Sequence, residues 1–118
     1  MGAIKPRLFD EKQIFTDEEI RSTDVQTSEI VNAGDYDVFT FYVDNQLDDD
    51  VTIQIMGNRV GSATKAVTIG ATWVVSTTDQ GAKTINVTNN GWLPYLFITV
   101  TAAGVPTSGN LNAYLMDR

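Results

Sequence analysis

The feature that most constrains this chain is strict two-residue alternation of apolar and polar side chains, repeated in short runs that Gly, Asn and Asp interrupt. In residues 37–43, Phe39, Phe41 and Val43 fall on one face and Val38, Thr40 and Tyr42 on the other. In residues 51–56, Val51, Ile53 and Ile55 alternate with Thr52 and Gln54. Such a period puts apolar groups on one face of a strand and scatters them around a helix. The chain is therefore expected to be all-β.

The rest of the chain after Val25 reads the same way. Residues 65–69 and 72–77 are two short runs broken by Gly70, with Trp73 and Val75 on one face. Residues 83–88 follow, where Ile85 and Val87 share a face. Asn89, Asn90 and Gly91 then mark a turn, because Asn and Gly tolerate positive φ. Residues 95–102 carry apolar groups on both faces, the pattern of a central strand, and Pro94 stands at its start, where a missing N–H does least harm. Leu111, Ala113 and Leu115 alternate through a last strand. Seven or eight strands with frequent turns predict an antiparallel β-sandwich of jelly-roll or immunoglobulin-like topology. Its expected core includes Phe39, Phe41, Ile53, Ile55, Trp73, Ile98, Val100 and Leu115.

Residues 1–23 break this pattern. They are charged, contain Pro6, and hold Leu8, Phe9, Ile14 and Phe15 without a sustained period. The expected organisation is an extended N-terminal arm, 1–23, followed by a sandwich domain, 24–118. Large apolar side chains left in water forgo about 1.5–3 kcal/mol each, so Leu8, Phe9, Ile14 and Phe15 are the candidate anchors of the arm on a partner. The N-terminal stretch has no apolar run of signal-peptide length, and no window approaches the ~20 apolar residues of a membrane-spanning helix. Synthesis in a cytoplasm without secretion, and no membrane partner, are the corresponding expectations.

The chain has no His and no Cys, which removes the commonest general base, the commonest zinc ligands and the usual activated nucleophiles. No catalytic, metal or cofactor site is expected. The net charge is −7, and thirteen of the fifteen carboxylates lie in residues 1–50. An acidic surface lacks the footprint that nucleic acid requires. The carboxylates of residues 44–50 do not follow an EF-hand, since the sixth and twelfth positions from Asp44 are Asp49 and Ile55 rather than Gly and Glu. This segment reads as a solvated hairpin tip. Trp73, Trp92, Tyr36, Tyr42, Tyr95 and Tyr114 are enough aromatics for a sugar-stacking platform, although Trp73 and Trp92, each entering a strand, read better as the two ends of the core.

Residues 27–58 (TSEIVNAGDYDVFTFYVDNQLDDDVTIQIMGN) and 92–115 (WLPYLFITVTAAGVPTSGNLNAYL) resemble small β-sandwich proteins encoded among the virion genes of tailed bacteriophages and prophages. The resemblance implies a structural protein of the particle, decorating the capsid exterior or serving as a minor capsid component. Its partners would be other virion proteins and further copies of itself. A carbohydrate-binding β-sandwich module of a tail or surface adhesin is the alternative.

Overall fold

The computed structural model describes residues 10–118. Among the described residues there are nine strands: β1 (Asp10–Glu18), β2 (Gln26–Thr27), β3 (Val31–Asn32), β4 (Val38–Asn45), β5 (Val51–Asn58), β6 (Val67–Val75), β7 (Asp79–Asn86), β8 (Tyr95–Ala102) and β9 (Leu111–Asp117). They form two antiparallel sheets, β1-β9-β4-β7 and β2-β8-β5-β6, with β3 also on β8. β2 and β3 are two pieces of one edge strand, since Gln26–Thr27 face Val100 and Thr99 while Val31–Asn32 face Leu96 and Tyr95. Ser28 bridges them: its N–H donates to the Ile98 carbonyl and its Oγ accepts from the Ile98 N–H at 3.0 Å.

Only β5 and β6, among consecutive strands, pair as a hairpin; every other step from this eight-strand set crosses between sheets. An immunoglobulin-like sandwich keeps about half of its steps as hairpins within one sheet. The alternating path is that of a jelly roll.

Facing side chains of β4, β5, β8 and β9 make the core. Phe39, Phe41, Val43, Val51, Ile53, Ile55, Leu96, Ile98, Val100, Leu111, Ala113 and Leu115 are all buried, as alternation requires when each sheet packs one face inward. Trp73 is only half-buried against this cluster, at the edge strand β6.

Three expectations are corrected. Residues 10–18 are not part of an arm but the edge strand β1, in register with β9, and Ile14 and Phe15 are 2% and 5% exposed in the domain's own core. Two adjacent residues can both turn inward because the register slips between Gln13 and Phe15, which inserts one extra residue on β1. The same bulge is what erased the period in the sequence. Ile20 is buried as well, so the domain boundary at residue 23 does not hold. Leu8 and Phe9 lie outside the described residues.

The second correction is residues 44–50, which form no hairpin: β4 and β5 sit in opposite sheets and the segment arches between them. Leu47 is buried under the arch, and the buried Asn45 holds it. The Asn45 Nδ2 donates to the carbonyls of Asp49, Val75 and Ser76 at 2.9–3.3 Å, while its Oδ1 accepts from the Leu47 N–H. The third is that residues 67–75 form one strand; the extra residues around Gly70 (φ 70°) bulge out opposite Gln54.

Candidate functional site

The strand directions send three connections to one end of the sandwich, here the tip: residues 33–37, 59–66 and 87–94. The opposite end, the base, gathers residues 19–25, 46–50, 76–78 and 103–110.

The tip loop after β7 is built around asparagines. The Asn89 N–H donates to the Asn86 Oδ1 at 3.0 Å and the Asn86 N–H to the Asn89 Oδ1 at 3.1 Å. Asn90 is buried; its Oδ1 accepts from the Trp92 N–H at 2.8 Å and its Nδ2 donates to the Leu93 carbonyl. Gly91 and Trp92 are both left-handed, at φ 65° and 64°. For a bulky residue that conformation costs of order 1–3 kcal/mol, and it persists only where surroundings hold it.

The consequence is a tryptophan 73% exposed, at the rim of a small hollow it lines with Tyr36, Val87 and Pro94. This corrects the expectation that Trp92 fills one end of the core. Leu93 takes that place, packed over Gly57, where an added Cβ would lie 3.0 Å from the Leu93 Cδ1. Two neighbouring residues face opposite ways, and the aliphatic one is turned inward.

A second tip loop, residues 59–66, is held by Asn58. The Asn58 Nδ2 donates to the carbonyls of Ser62 and Thr64 at 2.7 and 3.0 Å, and its Oδ1 accepts from the Arg59 N–H at 2.8 Å. Lys65, at φ 63°, is also left-handed. The loop encloses a cup of about 500 Å³ whose wall includes Arg59, Val60, Lys65, Val67 and Leu93. Among the described residues the single ion pair is Arg21 with Glu19, so Arg59 and Lys65 have no carboxylate partner there.

The third loop, residues 33–37, is tied to the first by the Ala33 N–H donating to the Pro94 carbonyl at 2.7 Å. Its Tyr36 hydroxyl donates to the Asp10 carboxylate, which, with partial burial, pushes the phenol up to about 12. Nearby Asp117 is buried, and desolvation followed by the Asp10 charge pushes its carboxyl up to about 6. The tip thus holds a basic cup at Arg59 and Lys65, an acidic corner at Asp10 and Asp117, and Trp92 lining a separate hollow beside Tyr36 and Asp37.

The base is organised by carboxylates that accept from backbone. Asp48 takes the Thr107 N–H at 2.9 Å and the Thr107 hydroxyl, which holds its carboxyl down at about 2. Asp50 accepts from the Thr77 N–H at 2.9 Å, and Asp44 from the side-chain amides of Gln46 and Gln80. These oxygens staple loops together. Among the described residues no three His, Cys, Asp or Glu side chains converge as a metal site would require.

On the outer face of β4 and β9, Tyr42 and Tyr114 stand opposite each other with ring centroids 6.2 Å apart and planes at 55°. With Glu11 and Met116 they line a shallow hollow of about 360 Å³. Of the four anchors expected from sequence, Ile14 and Phe15 belong to the core, and Leu8 and Phe9 are outside the described residues. The signal that could have found Trp92 is the Asn-Asn-Gly turn before it, which fixes an outward position.

No family model matches this chain, and no curated protein matches its sequence. Solved structures do. XepA, the exported protein of PBSX, superposes with a TM-score of 0.69 at 12% identity over 92% of this chain, which spans 36% of that protein. The SPBc2 prophage-derived protein YomS gives 0.55 at 10% identity, covering 97% of both chains. The coat protein of Tobacco streak virus gives 0.51 at 7% identity, covering 98% of this chain and 88% of the other. The likeness is one of fold. Among the described residues no helix is long and apolar enough to cross a membrane.

Proposed function

We propose that this chain is a non-enzymatic structural protein of a phage particle that sits on the capsid exterior and is held there by protein–protein contacts through its tip. The observation that carries the reading is Trp92, a large apolar side chain kept largely in water by a strained loop that asparagine side chains brace. Nothing in the fold requires that side chain, and tryptophan is the residue type most enriched among interface anchors. Elsewhere on the tip, Val60 and Val67 are exposed beside Arg59 and Lys65. Prophage and coat proteins share the fold, which agrees with this role, and the acidic surface favours the outside of a shell over packaged DNA.

The test is to purify particles from an induced culture of the encoding strain and label them with a chain-specific antibody. The expected result is co-sedimentation and gold on the outside of the head, lost in a strain carrying Trp92→Gly. Recovery only in the soluble fraction overturns the proposal.

A second reading, carbohydrate binding, is favoured by the Tyr42–Tyr114 hollow, because tilted phenol rings beside the Glu11 carboxylate offer stacking and hydrogen bonding together. Retention on immobilised glycans that Tyr114→Ala removes would establish it. Under the leading reading the protein passes through unretained.

A further inference from the structure

The exposed apolar side chains are not spread over the molecule. Of the six large ones among the described residues, Trp92, Val60 and Val67 lie at the tip and Val25 and Val105 at the base, leaving only Val74 on a sheet face. Charge is uneven along the same axis, although the tip has carboxylates of its own at Asp10, Asp35, Asp37 and Asp117. The base loops and the strand ends entering them carry nine carboxylates, among them Glu18, Asp24, Asp49 and Asp79, against Arg21 as the one base. The tip lobe around the cup carries Arg59 and Lys65 with no carboxylate in its wall.

We propose that the occupant of the cup is the base of a second copy of this chain, so that copies associate head to tail with Val60, Val67, Arg59 and Lys65 of one against Val25, Val105 and the acidic base of the next. Trp92 lies outside the cup wall and stays free for the shell, so the proposal goes beyond the tip-docking reading above and is compatible with it. Two different surfaces meet in such a contact, which makes it heterologous: it closes into a ring if the rotation allows and otherwise runs on as a filament. The net charge of −7 does not forbid it. At physiological salt charges further apart than about 8 Å are largely screened, so the contact feels two cations against an acidic end rather than two anions as wholes.

Left-handed Lys65 agrees with a preformed surface, since a cup already held in shape loses little freedom on docking. The acidic corner at Asp10 and Asp117 lies off the cup, so the approach is to the Arg59 and Lys65 side.

Sedimentation velocity on the full chain tests this over a concentration series. The expected result is species larger than monomer that grow with concentration and shrink between about 0.1 M and about 1 M salt, as the screening length falls from ~10 to ~3 Å. Arg59→Glu/Lys65→Glu, which spoils the tip, and Asp24→Lys/Asp49→Lys, which spoils the base, should each be monomeric with an unchanged circular dichroism spectrum. Mixed, they should form a one-to-one dimer, because one variant keeps an intact base and the other an intact tip. A monomeric wild type overturns the inference, as does a base variant that still self-associates through its tips. If the wild type is monomeric yet binds particles through Trp92, the inference fails and the proposed function stands.

Discussion

Ile98 and Trp92 are both large, and the physics of their positions is opposite. Ile98 sits in the middle of β8, fully buried between the sheets. Replacing it with Ala removes transfer energy and leaves a cavity, so Ile98→Ala should lower the unfolding free energy by about 2–5 kcal/mol in a denaturant titration. Trp92 is mostly exposed and holds a left-handed backbone. Gly accepts that conformation without the Cβ clash, though it gives the unfolded chain more freedom. Trp92→Gly should therefore change stability by less than about 1 kcal/mol in the same titration while removing particle binding. A loss as large as that of Ile98→Ala would mean the indole is structural. Buried Asn45 is the third kind of residue, a polar group whose every partner is backbone. Asn45→Ala orphans three carbonyls, one at the end of β6 and two in separate loops, and a loss of about 1–3 kcal/mol is expected for the unmade bonds alone.

At the scale of elements, alternation located β4, β5, β8 and β9 and told which of their side chains face inward. It could not say which strands are neighbours. Period 2 fixes a face, whereas pairing is decided by contacts distant in the chain, which is why residues 44–50 read as a hairpin and fold as an arch. β1 was hidden for a different reason: its bulges put Ile14 and Phe15 on the same side and bring Asp17 to φ 45°. The docking residues were misassigned in consequence, since uncovered apolar groups in an arm and buried groups in a bulged strand have the same composition. A deletion decides the point physically. Removing residues 1–18 takes β1 from its pairing with β9 and two core side chains with it, so the truncated chain should lose its cooperative thermal transition. An intact transition would return these residues to the role of an arm.

For the whole molecule the two displaced carboxyls pull stability in opposite directions with pH. Asp48 is held at about 2 against an ordinary 3.8, so it binds protons less readily folded than unfolded. Its contribution is present above pH 3.8 and is lost as pH falls towards 2. Asp117 is raised from 3.8 to about 6 by burial and by Asp10, so between those values the folded state holds the extra proton. Stability therefore falls as pH rises from 3.8 to about 6, and stays lower above it. The excess of carboxylates acts in the same sense as Asp117, because ionising them adds self-repulsion to a chain of net charge −7. Melting temperature measured against pH should accordingly peak near pH 4 rather than at neutrality. Asp117→Asn should flatten the limb between pH 4 and 6, and Asp48→Asn should lower the curve above pH 4 while meeting the wild type near pH 2. A wild-type curve that climbs steadily from pH 4 to 7 would show that neither the burial of Asp117 nor the acidic surface governs the stability of the sandwich.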